Sequence, residues 1–126
     1  MIITKNMTFA AGHQLYDPAL TEEVNEELFG KCFRPHGHNY HVHVEIEGDP
    51  MPDGMILNYY RISDVINRLD HRNLNAILSV LTTAENIAIW IWEELQVASV
   101  GRSIERISVT VKETDSSSAT YDGRVH

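Results

Sequence analysis

The 126-residue chain predicts an α+β fold of order β-β-α-α-β-β: a four-stranded antiparallel sheet with two helices on one face. Three observations carry this expectation. Residues 2–13, 37–47 and 104–113 alternate apolar and polar side chains with the period of two that strands show. Two segments between the second and third of these have helical spacing instead. Turn chemistry, "DPMPDG" at 49–54, separates the strand pair from the helix pair.

In "IITKNMTFAAGH" (2–13), Ile3, Met7, Phe9 and Ala11 share a face interrupted only by Lys5, and His13 continues that register. Residues 16–31 are polar and acidic and read as a loop or short helix. The second strand lies in "KCFRPHGHNYHVHVEIEG" (31–48), which holds four of the seven histidines and the only cysteine. His36, His38, Tyr40, Val42, Val44 and Ile46 share one face there, while His41, His43, Glu45 and Glu47 form a wet one. "MILN" (55–58) is expected to pair back on this strand.

The first helix follows from Ile62, Val65, Ile66 and Leu69, at i, i+3, i+4 and i+7. The second opens with a capping box, Thr82 and Glu85, ahead of Ile87, Ala88, Ile91 and Leu95. In "IERISVTVKE" (104–113), Ile107, Val109 and Val111 face the core, and Glu113 falls in the same register. A last strand around Ser118–Tyr121 closes a single domain spanning 1–126.

Composition narrows the function. At 43% hydrophobic and 22% charged residues the chain is ordinary for a globular protein. The formal net charge of −8 argues against nucleic acid, whose phosphates need a basic face. No apolar run approaches the roughly 20 residues of a membrane span. One cysteine makes no internal disulfide, so the cytoplasm is the expected compartment.

His13, His36 and His38 sit in core-facing register at the ends of their strands. Three buried imidazoles without partners are costly, and a bound cation removes the cost. Three neutral imidazoles are a common zinc set that leaves a fourth position open, the catalytic arrangement. Gly37 between two of them leaves the backbone uncrowded. Independent hydrogen bonds near the surface are the plainer alternative, and the one assigned to His41 and His43. Cys32 lies in a loop beside Lys31 and Arg34, where positive charge favours a thiolate. "LDHRNLN" places Asp70 and His71 at the end of the first helix, which favours a protonated imidazole. Glu113, a carboxylate facing the core, needs paired donors, from an internal cation or from a ligand.

Taken together, "FAAGHQL", "CFRPHGHNY", "GMILN", "LDHRNLN", "TTAENIAIWIW" and "VKET" resemble the 6-pyruvoyl-tetrahydropterin synthase and 6-carboxy-tetrahydropterin synthase family, in family order and nearly end to end. The resemblance implies the tunnelling fold and subunits whose sheets join into barrels, as homotrimers or homohexamers with active sites between subunits. It implies Zn2+ on His13, His36 and His38, Cys32 as catalytic base, and Asp70 with His71 completing a triad. It further implies Glu113 as the anchor of the pterin ring and Thr82 and Thr83 as lining of the pterin pocket. The implied substrate is the small molecule 7,8-dihydroneopterin triphosphate. Zinc would polarise its side-chain hydroxyls, with Cys32 and His71 moving protons.

The branch stays divided. Three residues, "FRP", separate Cys32 from the HGH motif, a spacing similar to that of the carboxy branch. That branch releases acetaldehyde and triphosphate on the route to queuosine. "FGKC", "GHNY", "GMILN" and "KETD" resemble the pyruvoyl branch, which only eliminates triphosphate and isomerises. The loop spacing weighs more, because it sets where the base sits relative to the metal, so the expected product is 6-carboxy-5,6,7,8-tetrahydropterin. Gly12, where the family usually has alanine, and Asn58-Tyr59, where the carboxy branch often has Asp-Phe, are departures. A non-catalytic zinc- or pterin-binding homologue is the rival from another class, and intact Cys32, Asp70 and His71 weigh against it.

Overall fold

The computed structural model describes residues 1–124; Val125 and His126 lie outside the described residues. Strand β1 (Ile2–His13) runs antiparallel to β2 (His36–Gly48), with Ile2 opposite Glu47 and His13 opposite His36. On the far side of β2 lies β4 (Ile104–Thr114), followed by β5 (Ser117–Tyr121), both antiparallel. The sheet has five strands rather than the expected four, in the order β3-β1-β2-β4-β5. The extra strand, β3 (Arg72–Asn73), pairs parallel to Ala11 and Gly12 at the edge of β1. Two residues are too few to show a period, and they pair only because the turn before them is pinned to β1. His71 N–H donates to the Ala10 carbonyl at 2.6 Å, and Ala10 N–H donates to the Asp70 carboxylate at 2.9 Å.

Helices α2 (Tyr59–Asn67) and α3 (Ala84–Ala98) cover one face of this sheet. Their helical stripes behave as read: Ile62, Val65, Ile66, Ile87, Ala88, Ile91 and Leu95 are all buried, against Tyr40, Val42, Val44, Ile46, Ile107, Val109 and Val111 of the strands. Truncating one such side chain, Ile91→Ala for instance, would cost about 2–5 kcal/mol. The segment 55–58 is not a strand. Ile56 and Leu57 are buried as a loop, and Asn58 caps α2 by accepting from Tyr60 N–H.

The cap of α3 is also shifted by one. Thr83, not Thr82, is the N-cap, its hydroxyl accepting from Asn86 N–H at 3.2 Å. Thr82 is fully buried with its hydroxyl 3.5 Å from the Gln14 carbonyl. The acidic segment forms a true helix, α1 (Glu22–Phe29), followed by a single 3-10 turn over Gly30–Phe33. Among the described residues no helix is long and apolar enough to cross a membrane.

Candidate metal and pterin site

Antiparallel register builds the histidine cluster. His13 and His36 are direct cross-strand partners, and His38, opposite Ala11, is two residues further along the same face. The three rings meet edge to face, with centroids 4.5 Å (His13–His36), 4.9 Å (His36–His38) and 5.1 Å (His13–His38) apart. One ligand nitrogen from each lies within 4.8 Å of the others.

Two carbonyls fix the tautomers. His13 Nδ1–H donates to the Thr82 carbonyl at 2.8 Å, and His36 Nδ1–H donates to the Arg34 carbonyl at 2.7 Å. Each neutral ring then keeps its Nε2 lone pair free, the form that binds metal. Burial holds the His13 pKa below the ordinary histidine value, against the Thr82 carbonyl that raises it; His36 and His38 add to the lowering. A neutral imidazole is therefore the resting form.

Three buried side-chain polar atoms lack a hydrogen-bond partner among the described residues: His13 Nε2, His38 Nε2 and the Tyr40 hydroxyl. Such atoms are rare because each costs the full desolvation of its group. A divalent cation satisfies both nitrogens at once, and an all-imidazole donor set suits zinc. The residues fit the ion.

Glu113 adjoins the cluster. Its carboxylate stands 3.3 Å from His38 Nε2 without the geometry of a hydrogen bond. It also lines a cleft of about 290 Å³ with Leu15, Thr83, Ala84, Glu85 and Ser117. The structure thus brings five expected residues into one neighbourhood: His13, His36, His38, Glu113 and Thr83. Thr82 contributes through its carbonyl, a backbone role that no side-chain pattern signals. The Tyr40 hydroxyl was also missed, since a tyrosine in an apolar strand register reads as core. Gly37 needs no steric explanation: a Cβ there would meet the Ala11 carbonyl oxygen at an ordinary 3.4 Å.

The remaining expected residues stand apart. Cys32 is partly exposed in the 3-10 turn, its carbonyl accepting from Leu15 N–H at 2.9 Å. The Arg34 guanidinium turns to Glu26, 3.6 Å away. Asp70 and His71 lie beyond the end of α2, in the turn before β3. The Asp70 carboxylate contacts His71 Nδ1 at 3.0 Å, and the Ala10 N–H bond followed by His71 holds its pKa below the usual carboxylate range. His71 has positive φ (57°) and a side chain 81% exposed. It borders an open recess together with residues of both strands, Ala10, Ala11, Gly12, Gly37, His38 and Asn39. No hydrogen bond or ion pair among the described residues joins Asp70 or His71 to the three histidines; their partners are Ala10 and each other.

Comparison with known proteins places this geometry. The family model described as 6-pyruvoyl tetrahydropterin synthase matches residues 2–124. Human 6-pyruvoyl tetrahydrobiopterin synthase is 38% identical, over 96% of this chain and 90% of that protein. A putative 6-carboxy-5,6,7,8-tetrahydropterin synthase of Archaeoglobus fulgidus is 31% identical over 90% of each. The solved structure of Caenorhabditis elegans 6-pyruvoyl tetrahydropterin synthase superposes with a TM-score of 0.84 at 32% identity, covering 98% of this chain and 96% of that one.

Proposed function

The chain belongs to the 6-pyruvoyl tetrahydropterin synthase family, and on that premise we propose that it is a zinc-dependent lyase acting on 7,8-dihydroneopterin triphosphate. The products of this reading are 6-carboxy-5,6,7,8-tetrahydropterin, acetaldehyde and triphosphate. The observation that carries the lyase reading is the pair of buried, partnerless imidazole nitrogens beside a cleft carboxylate.

His13, His36 and His38 would hold the zinc ion, which would supply Lewis acidity toward the substrate's side-chain hydroxyls. Glu113 accepts the flat pair of N–H donors on the pterin ring, in the cleft that Thr83 borders. Cys32 takes a proton from the substrate side chain as general base. Asp70 holds the His71 ring through Nδ1 and leaves Nε2 to move the second proton. Asp70 and His71 sit at the β3 edge of β1, and in this reading they serve the site of a neighbouring subunit, in a cytoplasmic homotrimer or homohexamer.

The three-residue spacing between Cys32 and His36 favours the carboxy branch, since it sets where the base sits relative to the metal. Identity to the human protein favours a second reading, triphosphate elimination to a 6-pyruvoyl product. One experiment separates the readings: zinc-loaded protein is incubated with dihydroneopterin triphosphate, and triphosphate, acetaldehyde and pterin mass are assayed. Acetaldehyde in step with triphosphate supports the carboxy branch, and triphosphate alone the pyruvoyl branch. With no triphosphate released, the lyase reading fails.

A further inference from the structure

Two clefts flank the histidine cluster, and they differ in charge. On one side, the cleft of Glu113 also carries Glu85. On the other, a cleft of about 380 Å³ is lined by His13 and His36 themselves, together with Gln14, Tyr16, Arg72 and Asn73. Among the described residues no carboxylate lines this second cleft. That is notable in a chain with 18 acidic residues against 10 lysines and arginines.

Arg72 is the cation of that cleft. Arg34, Arg68, Arg102 and Arg106 are each held by a carboxylate. The Arg72 side chain is exposed and has no ion pair or hydrogen bond among the described residues. Its backbone is fixed, because β3 pairs Arg72 with Ala11 and Asn73 with Gly12. Asn75 bolts the two walls together: its side-chain oxygen accepts from Gln14 N–H and its amide donates to the Gln14 carbonyl, both at 2.8 Å. Asn73 accepts from Asn75 N–H at 3.1 Å, which leaves its amide nitrogen as a second donor on the cleft wall.

A guanidinium on a fixed backbone, flanked by amide donors and free of acids, has the recognition chemistry of a phosphate group. A merely solvated arginine does not explain that lining. A chain of net charge −8 repels a polyanion as a whole, so a phosphorylated ligand needs such a local cation. On the lyase reading the substrate's short side chain crosses the metal ligands, with the pterin ring at one end and the triphosphate at the other. Resting on that reading, we propose that Arg72 and Asn73 bind the triphosphate, in the cleft that His13 and His36 share. Charge then orients the substrate: ring N–H groups go to Glu113 and phosphate oxygens to Arg72. The reverse placement sets phosphates against Glu113 and Glu85.

Inorganic triphosphate is the probe, titrated by calorimetry into the full-length chain after metal is removed, so that metal chelation gives no heat. The unaltered protein is expected to bind it, more weakly as salt rises. Arg72→Gln is expected to lower the affinity about tenfold or more, with unchanged circular dichroism because the side chain is exposed. Arg72→Lys, which keeps the charge and loses the fork, is expected to recover part of that loss. Arg61→Gln makes the same charge change at the start of α2 and is expected to lose less than about twofold, since distant exposed charges are screened. No binding by the unaltered protein, equal affinity for Arg72→Gln, or an equal loss for Arg61→Gln overturns the proposal. None of these readouts depends on turnover. A protein that binds triphosphate but releases none from the pterin substrate loses the lyase reading and keeps this site.

Discussion

The two ends of the β1–β2 pair treat their polar groups in opposite ways. At the Gly48 end, Arg102 is fully engaged. Its guanidinium grips the Asp53 carboxylate with two bonds, at 2.9 and 3.0 Å, and donates to the carbonyls of Ile56 (3.0 Å) and Met55. Gly48 admits the Ser103 carbonyl so closely that a Cβ there would lie 2.2 Å from it. At the His13–His36 end, His13 Nε2, His38 Nε2 and the Tyr40 hydroxyl are buried with no hydrogen-bond partner among the described residues. One end is closed by its own residues and stabilises the fold. The other retains hydrogen-bonding capacity that the described residues leave unmet. The difference separates structure from function more sharply than residue type does, because ionisable side chains occur at both ends.

The comparison breaks most directly at the ligands. His36→Ala/His38→Ala is expected to lower zinc affinity by more than the roughly 10–100-fold that loss of an orienting partner costs, and to abolish turnover. Metal analysis after dialysis checks it; full occupancy would remove the site. Cys32→Ala is expected to keep zinc and lose turnover by at least ~10²-fold, the scale of general-base catalysis. Near-normal rates would place the base elsewhere.

Glu113→Gln replaces one acceptor by a donor and loses a charge-assisted contact worth about 1.5–3 kcal/mol. Calorimetry with an unreactive pterin is expected to show affinity lower by roughly two orders of magnitude, with zinc content unchanged. Equal affinity would make the carboxylate structural.

Two smaller effects sharpen the contrast. Tyr40→Phe removes a partnerless hydroxyl whose burial costs about 1–3 kcal/mol. In chelator-treated protein its Tm is expected to rise by roughly 3–5 °C. A fall would mean that the hydroxyl has a partner. At the closed end the Arg102 side-chain bond, ahead of the Met55 N–H, holds the Asp53 pKa below the usual carboxylate range. Its contribution to stability is complete above the ordinary carboxylate pKa and disappears as pH falls through the lowered one. Asp53→Asn is therefore expected to be less stable at neutral pH and to lose less on acidification, as urea midpoints across an acid series would show.

Periodicity made most of the core legible. The alternation from Phe9 to His13 and from His36 to Ile46, and the helical stripe from Ile87 to Leu95, were visible because each burial pattern repeats within a few residues. The same rule placed His13, His36 and His38 on one face before any pairing was known. It failed where structure is set by contacts distant in sequence. Strand β3 is two residues long and exists because Asp70 clamps Ala10. Thr82 left the helix cap because its carbonyl was drawn to His13, 69 residues away in the chain. The face that α1 buries is not legible in the sequence, because a buried Asn25 has no periodic signature.

Local side-chain chemistry thus determined which residues share a face and which types can hold a cation. Only the tertiary structure decided the rest: that the register sets His13 against His36, that Glu113 reaches His38, and that Asp70 and His71 are pinned to Ala10 at the edge of β1. Strand alternation is fixed by backbone geometry within a few residues, whereas register and loop placement depend on closing contacts across the whole chain.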